Sequence, residues 1–203
     1  MLGCVSGSAI SNITPMNAFW WKAAQSYLTP SGFLSFDAFM ELSLYHPERG
    51  YYMREDLEWG DKGDFTTAPM ISPGFAYALG ASGFQLNPKA KIWIELGPGR
   101  GDLAEQLLTF YPDIEEYWCI EPSDALQARQ RAFLRERLPS DVFSALRWSK
   151  RVPACERATL VANEILDAQV AKQIVYEGGT FQEKGYRWSK DQWVCAVQPL
   201  TSE

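Results

Sequence analysis

Glu95, Gly97, Gly99 and Gly101 alternate with other residues in Ile92-Trp93-Ile94-Glu95-Leu96-Gly97-Pro98-Gly99-Arg100-Gly101. Glycines lack a Cβ, so the backbone can take strained angles and approach a ligand closely. An acid beside such a turn suits an ammonium group better than a phosphate. A second acid, Glu121, follows 20 residues after Gly101 and closes the run Tyr117-Trp118-Cys119-Ile120-Glu121. In nucleotide-binding α/β folds an acid at about that distance ends the second strand and accepts hydrogen bonds from ribose hydroxyls. Glu121 alone would be an ordinary strand-end carboxylate; beside a glycine turn it reads as a ribose ligand.

These residues need a scaffold, and the pattern around them supplies one. The apolar run 92–96 reads as a buried parallel strand that breaks into a tight turn. Over 102–110, Leu103, Leu107 and Phe110 recur at helical spacing. The start of that helix would point unsatisfied N–H groups at whatever occupies the turn. A dinucleotide fingerprint, G-x-G-x-x-G, would require glycine at position 102, which is Asp. The observed acid-x-G-x-G-x-G instead resembles motif I of class I S-adenosylmethionine (SAM) methyltransferases. SAM carries an amino and a carboxylate group on its methionine end and no pyrophosphate. The alternative is a strand-turn-helix whose glycines serve packing alone.

Further elements follow in sequence. Helical patterning over 17–48 is split by Thr29-Pro30-Ser31-Gly32, with Ser35 as a cap for the second helix. Residues 49–74 read as loop, and 73–85 as a helix. Strands are expected at 117–121, 143–148 and 159–163, with a helix over 124–137 capped by Ser123. Residues 172–196 alternate around Gly178-Gly179 and predict a hairpin or meander.

Composition bounds the classes of function. The 203 residues are 46% hydrophobic and 22% charged, enough for a substantial core. A net charge of −6 gives no basic footprint for nucleic acid. Four scattered cysteines (Cys4, Cys119, Cys155, Cys195) and one histidine, His46, argue against a zinc site or a His-dependent triad, so no metal is expected. Cys119 in a core strand reads as a reduced, inert thiol, in keeping with a cytoplasmic protein. No run is long and apolar enough to span a membrane, and with no positive charge before Lys22 neither a secretory signal nor an Arg-rich transit peptide is expected.

Several blocks then occur in a fixed order. They are Ser35-Phe36-Asp37-Ala38-Phe39-Met40, Leu44-Tyr45-His46-Pro47, Gly50-Tyr51-Tyr52, Gly63-Asp64-Phe65-Thr66-Thr67-Ala68-Pro69 and Ile71-Ser72-Pro73. The glycine motif comes next, then Glu121-Pro122-Ser123 with Leu126 and Gln130, then Ala162-Asn163-Glu164-Ile165-Leu166-Asp167-Ala168. Over residues 32 to 190 the series resembles the MidA-like SAM-dependent methyltransferases, whose mitochondrial members are complex I assembly factors with protein arginine methyltransferase activity. The resemblance implies an α/β fold. That fold is a class I methyltransferase (Rossmann-like) doubly wound parallel sheet, incomplete, with an N-terminal helical extension. Residues 1–85 would form the extension and a cofactor-covering loop, and 86–203 a partial SAM-binding domain.

The same resemblance implies the site. Asp64, Thr66 and Thr67 would offer donors and acceptors to the methionine end of SAM, alongside Glu95, Gly97, Gly99, Gly101 and Glu121. Asn163 and Glu164, at the ligand-binding edge of an open parallel sheet, would orient a guanidino group and ease loss of its proton. Asp167 would act with them or simply end a turn. The implied partner is a protein substrate, such as a respiratory-complex subunit, with no nucleic acid and no membrane.

The chain departs from the family pattern at Met70, where an acid is usual after Ala-Pro. It departs again at Gln169-Val170, which continue Asp167-Ala168 without the usual proline. Family members are roughly twice as long, so the chain is expected to correspond to the amino-terminal half, with cofactor binding kept and full catalysis in question. A SAM-binding or assembly module without turnover is the alternative function.

Overall fold

The structure, a computed structural model, describes residues 15–54, 60, 63 and 66–200. In chain order the elements begin with helix α1 (Pro15–Ala24), strand β1 (Phe33–Ser35) and helix α2 (Phe36–Tyr45). Next come α3 (Ala68–Ile71), α4 (Pro73–Leu86), β2 (Ile92–Leu96), α5 (Asp102–Phe110), β3 (Glu116–Ile120) and α6 (Asp124–Arg137). The chain continues through α7 (Ser140–Phe143), β4 (Leu146–Ser149), β5 (Thr159–Ala162), β6 (Ile174–Glu177), β7 (Thr180–Ser189) and β8 (Gln192–Pro199). Two units form, Met1–Tyr52 with Val170–Glu203, and Met53–Gln169. The division therefore differs from the boundary expected at residue 85, because the strands after residue 170 pair with β1 rather than with the parallel sheet.

In the unit of Met53–Gln169, four parallel strands lie in the order β4-β3-β2-β5. The two central strands, β2 and β3, carry the core: Trp93, Ile94, Tyr117 and Cys119 are all at most 2% exposed. Each such large side chain removed from water contributes roughly 1.5–3 kcal/mol. Helix α5 covers the sheet with Leu103, Ala104, Leu107 and Leu108, spaced to share one helical face. Helix α4 starts where expected because Pro73 sets the first turn and Ser72 Oγ accepts the Gly74 N–H at 3.1 Å. Ser123 caps α6 in the same way, accepting from Leu126 N at 3.3 Å. The strand expected at 143–148 is instead β4 at 146–149, since Ser140–Phe143 coil into α7 after Pro139.

In the other unit, β7 is the centre of an antiparallel sheet. It pairs with β6 and β1 along its length and with β8. Two-residue turns join these strands, Gly178-Gly179 with φ of 59° and 83°, and Lys190-Asp191 with φ of 48° and 61°. Positive φ at both central residues is the twist that tight hairpins need. Helices α1 and α2 meet this sheet through aromatic side chains: Trp21 lies 5.0 Å from Trp188, and Phe39 lies 4.6 Å from Tyr186, centroid to centroid. Glu183, 3% exposed, accepts from Lys172 Nζ at 3.0 Å and from Gln198 Nε2 at 3.2 Å. Among the described residues no helix is long and apolar enough to cross a membrane, and no cluster of metal-ligating side chains occurs.

Candidate functional site

The carboxyl end of β2 opens into the glycine turn. Gly97 N–H donates to Ile120 O at 3.0 Å, which keeps the turn in register with β3 before it leaves the sheet. Gly97, Gly99 and Gly101 take φ of 61°, 58° and 111°, a region that side chains with a Cβ occupy only at a cost. The space is tight as well. A Cβ on Gly97 would meet Ile165 Cγ2 at 3.1 Å, and one on Gly101 would meet Leu134 at 3.2 Å. Gly101 is also the N-cap of α5, whose first turn holds Asp102 paired with Arg100, a favourable sign at the positive end of a helix.

Glu95 sits below the turn, 3% exposed, accepting a hydrogen bond from Tyr117 Oη at 2.8 Å. Burial pushes its carboxyl up from 4.5 to about 7, the Tyr117 hydrogen bond pulls it back, and the Asp102 charge adds to the rise. Burial pushes the Tyr117 phenol well above its ordinary value, and does the same to the Cys119 thiol. A thiol held protonated in the core is inert.

Glu121 follows β3 directly, and its N–H donates to Ser149 O at 3.0 Å. Its Oε1 accepts from Ser123 N at 2.9 Å, and its Oε2 from Gln130 Nε2 at 3.4 Å. Burial raises this carboxyl, and these two hydrogen bonds lower it again. A carboxylate offers about four acceptor positions, and among the described residues these two bonds fill two of them.

Asn163, Glu164 and the Thr66–Ala68 segment come together on the far side of β2. Glu164 has φ of 51°. Its Oε1 accepts the Ala68 N–H at 3.3 Å and Asn163 Nδ2 at 3.4 Å. Gln106 of α5 ties the same helix start, donating to Pro69 O at 2.8 Å. Thr67 stands at the N-cap of α3 in an extended conformation, with its own side chain making no cap bond. The Glu164 carboxylate serves instead, from 96 residues away in sequence. Asp167 is exposed on the 3₁₀ turn Leu166–Ala168. Asp64 lies outside the described residues.

Sequence reasoning gave no structural role to Gln130, although it is fully buried. The signal was present: Leu126, Gln130 and Leu134 share one buried helical stripe, and a polar residue on such a stripe needs partners.

Residues 81–203, more than half of the chain, match the family "Putative S-adenosyl-L-methionine-dependent methyltransferase". A "protein arginine methyltransferase NDUFAF7, mitochondrial" from Xenopus laevis is 38% identical over 89 residues, 40% of this chain and 20% of that protein. The Drosophila melanogaster homolog is 32% identical over 140 residues, 59% of this chain and 30% of that protein. A Burkholderia thailandensis protein crystallised with S-adenosyl-homocysteine superposes with a TM-score of 0.78 at 27% identity, over 96% of this chain and 54% of that one. The chain thus spans about half of that solved structure, and its match covers less than a third of each of these two curated relatives. The chain belongs to the S-adenosyl-L-methionine-dependent methyltransferase family.

Proposed function

We propose that this protein binds S-adenosylmethionine at the glycine turn and transfers its methyl group to an arginine of a protein substrate. One observation carries the reading. The left-handed turn at Gly97, Gly99 and Gly101 lies at the carboxyl end of the sheet, with Glu121 on one side and Asn163-Glu164 on the other. Ligands of open α/β sheets bind at that edge.

The residues fit the cofactor. Glu121 keeps acceptor positions for ribose hydroxyls. The buried Glu95 carboxyl, close to its midpoint at neutral pH, favours its charged form when a cation approaches the turn. Thr66 and Thr67 reach the same edge through the Glu164–Ala68 contact. When bound, SAM supplies an electrophilic methyl on its sulfonium, so the protein's task is to align the acceptor and exclude water. Glu164 Oε1 is committed to Ala68 and Asn163. Its Oε2 is left to accept an N–H of the guanidinium, and Asn163 Oδ1 to orient the same group. A carboxylate beside an incoming guanidinium also receives the proton lost on methylation.

Arginine as the acceptor is supported by the names of the Xenopus and Drosophila relatives. A respiratory-complex subunit is the protein substrate that the family resemblance suggests. Incubating the protein with methyl-labelled SAM and an arginine-rich protein tests the reading, with labelled arginine after hydrolysis as the expected result. SAM binding with no transfer to any arginine would mark the chain as a non-catalytic SAM-binding module.

A further inference from the structure

We infer that Gln130 is a positioning residue: its one side-chain amide fixes the glycine turn and the Glu121 carboxylate relative to each other, and so governs recognition of the adenosine half of the cofactor. The inference rests on the SAM-binding reading above and deepens it.

Gln130 is 0% exposed in the middle of α6, where a polar group without partners would be costly. Its Nε2 donates to Gly99 O at 2.9 Å and to Glu121 Oε2 at 3.4 Å. Its Oε1 accepts from Trp148 Nε1 at 3.1 Å. The amide has one workable orientation. An indole N–H only donates, and a main-chain carbonyl and a carboxylate only accept. Turning the amide over would set two acceptors against its oxygen and two donors against each other.

The indole is itself held in place. Arg131 lies over its ring at 4.0 Å, and the Phe143 ring lies 6.0 Å away. Trp148 in β4 therefore orients Gln130, and Gln130 ties the turn after β2 to the acid after β3. Neither glutamate nor leucine reproduces this. Glutamate would bring a second negative charge to Glu121, and leucine would leave the Gly99 carbonyl and the Glu121 oxygen without that donor.

The test uses the full chain with S-adenosyl-homocysteine as probe, in wild type, Gln130→Leu and Trp148→Phe. Two quantities are read: the dissociation constant by calorimetry, and the titration of the Glu121 carboxyl by carbon NMR without ligand, assigned against Glu121→Gln. Gln130→Leu should weaken binding about tenfold or more and move the Glu121 titration upward, since a donor favouring its charged form is gone. Trp148→Phe should shift both in the same direction by less, and the double variant should fall short of the sum because both act through one amide. A folded Gln130→Leu chain with wild-type affinity or an unmoved Glu121 titration overturns the inference. If that variant does not fold, an unchanged Trp148→Phe overturns it instead. A wild-type chain that binds no S-adenosyl-homocysteine contradicts the methyltransferase reading itself, and that failure shows in the calorimetry whatever the Glu121 titration does.

Discussion

Glu164 accepts the main-chain N–H of Ala68 at 3.3 Å, so the loop after β5 holds the start of α3 directly behind Thr66 and Thr67. Two blocks that lie far apart in sequence thereby serve one edge of the sheet. In the proposed reaction the same carboxylate has a second task, gripping the methyl acceptor, and its charge and its acceptor oxygen can be separated by substitution.

Glu164→Gln keeps an oxygen for Ala68 and removes the charge. We expect its affinity for SAM to stay within about twofold of wild type, because a neutral acceptor retains most of a hydrogen bond worth about 1 kcal/mol, while methyl transfer to arginine falls steeply. Glu164→Ala removes both and should lose about fivefold in SAM affinity as well. Calorimetry beside a labelled-methyl assay separates the two; equal SAM affinity in Gln and Ala variants would remove the anchoring role.

The buried Glu95 makes stability depend on pH. Its carboxyl titrates at about 7 in the folded chain against an ordinary 4.5. Between these values the native state holds a proton that the unfolded chain has released, so stability falls as pH rises. It is greatest from this source below about 4.5 and reaches its floor above about 7. Glu95→Gln keeps an acceptor for the Tyr117 hydroxyl and abolishes the titration. Urea denaturation at pH 5, 6 and 8 should show the variant gaining on wild type with rising pH, by up to about 3 kcal/mol. A constant difference across that range would rule out Glu95 as the source.

Helix α4 approaches Trp93 of β2 most tightly at Gly83. A Cβ at Gly83 would lie 2.4 Å from Trp93 Cη2, and that indole is 1% exposed. Alanine improves helix propensity by about 1 kcal/mol, but overpacking against a rigid ring costs about 1–3 kcal/mol. Gly83→Ala should therefore leave stability unchanged or lower it by up to about 2 kcal/mol. A clear rise in melting temperature would show that the indole can give way.

The elements read most closely from sequence are those whose signal is local. β2 and α5 occupy the expected 92–96 and 102–110 because a short run that is apolar but for Glu95, a glycine turn and a helical stripe follow one another without a gap. The hairpin at Gly178-Gly179 declares itself through two residues free to take positive φ. Lys190-Asp191 makes the same kind of turn with no glycine, so only pairing along β7 and β8 reveals it. β1 escaped notice for a related reason. Phe33-Leu34-Ser35 is too short to show alternation, and its partners, such as Tyr186 opposite Leu34, lie some 150 residues away. Within the candidate site, spacing makes legible the glycine turn after β2 and the place of Glu121 at the end of β3. The joining of Glu164 to Ala68, and of Gln130 to Gly99, Glu121 and Trp148, belongs to tertiary contacts that no spacing encodes.

The most direct test of the account is calorimetric titration of the folded protein with SAM, beside a Gly99→Val variant. Gly99 has φ of 58°, where a β-branched residue is strained. Saturable binding by the wild type, weakened at least about tenfold in the variant, is the predicted result. A well-folded wild-type chain that binds no SAM, or a Gly99→Val chain that binds it equally well, would contradict the assignment of the glycine turn as the cofactor site.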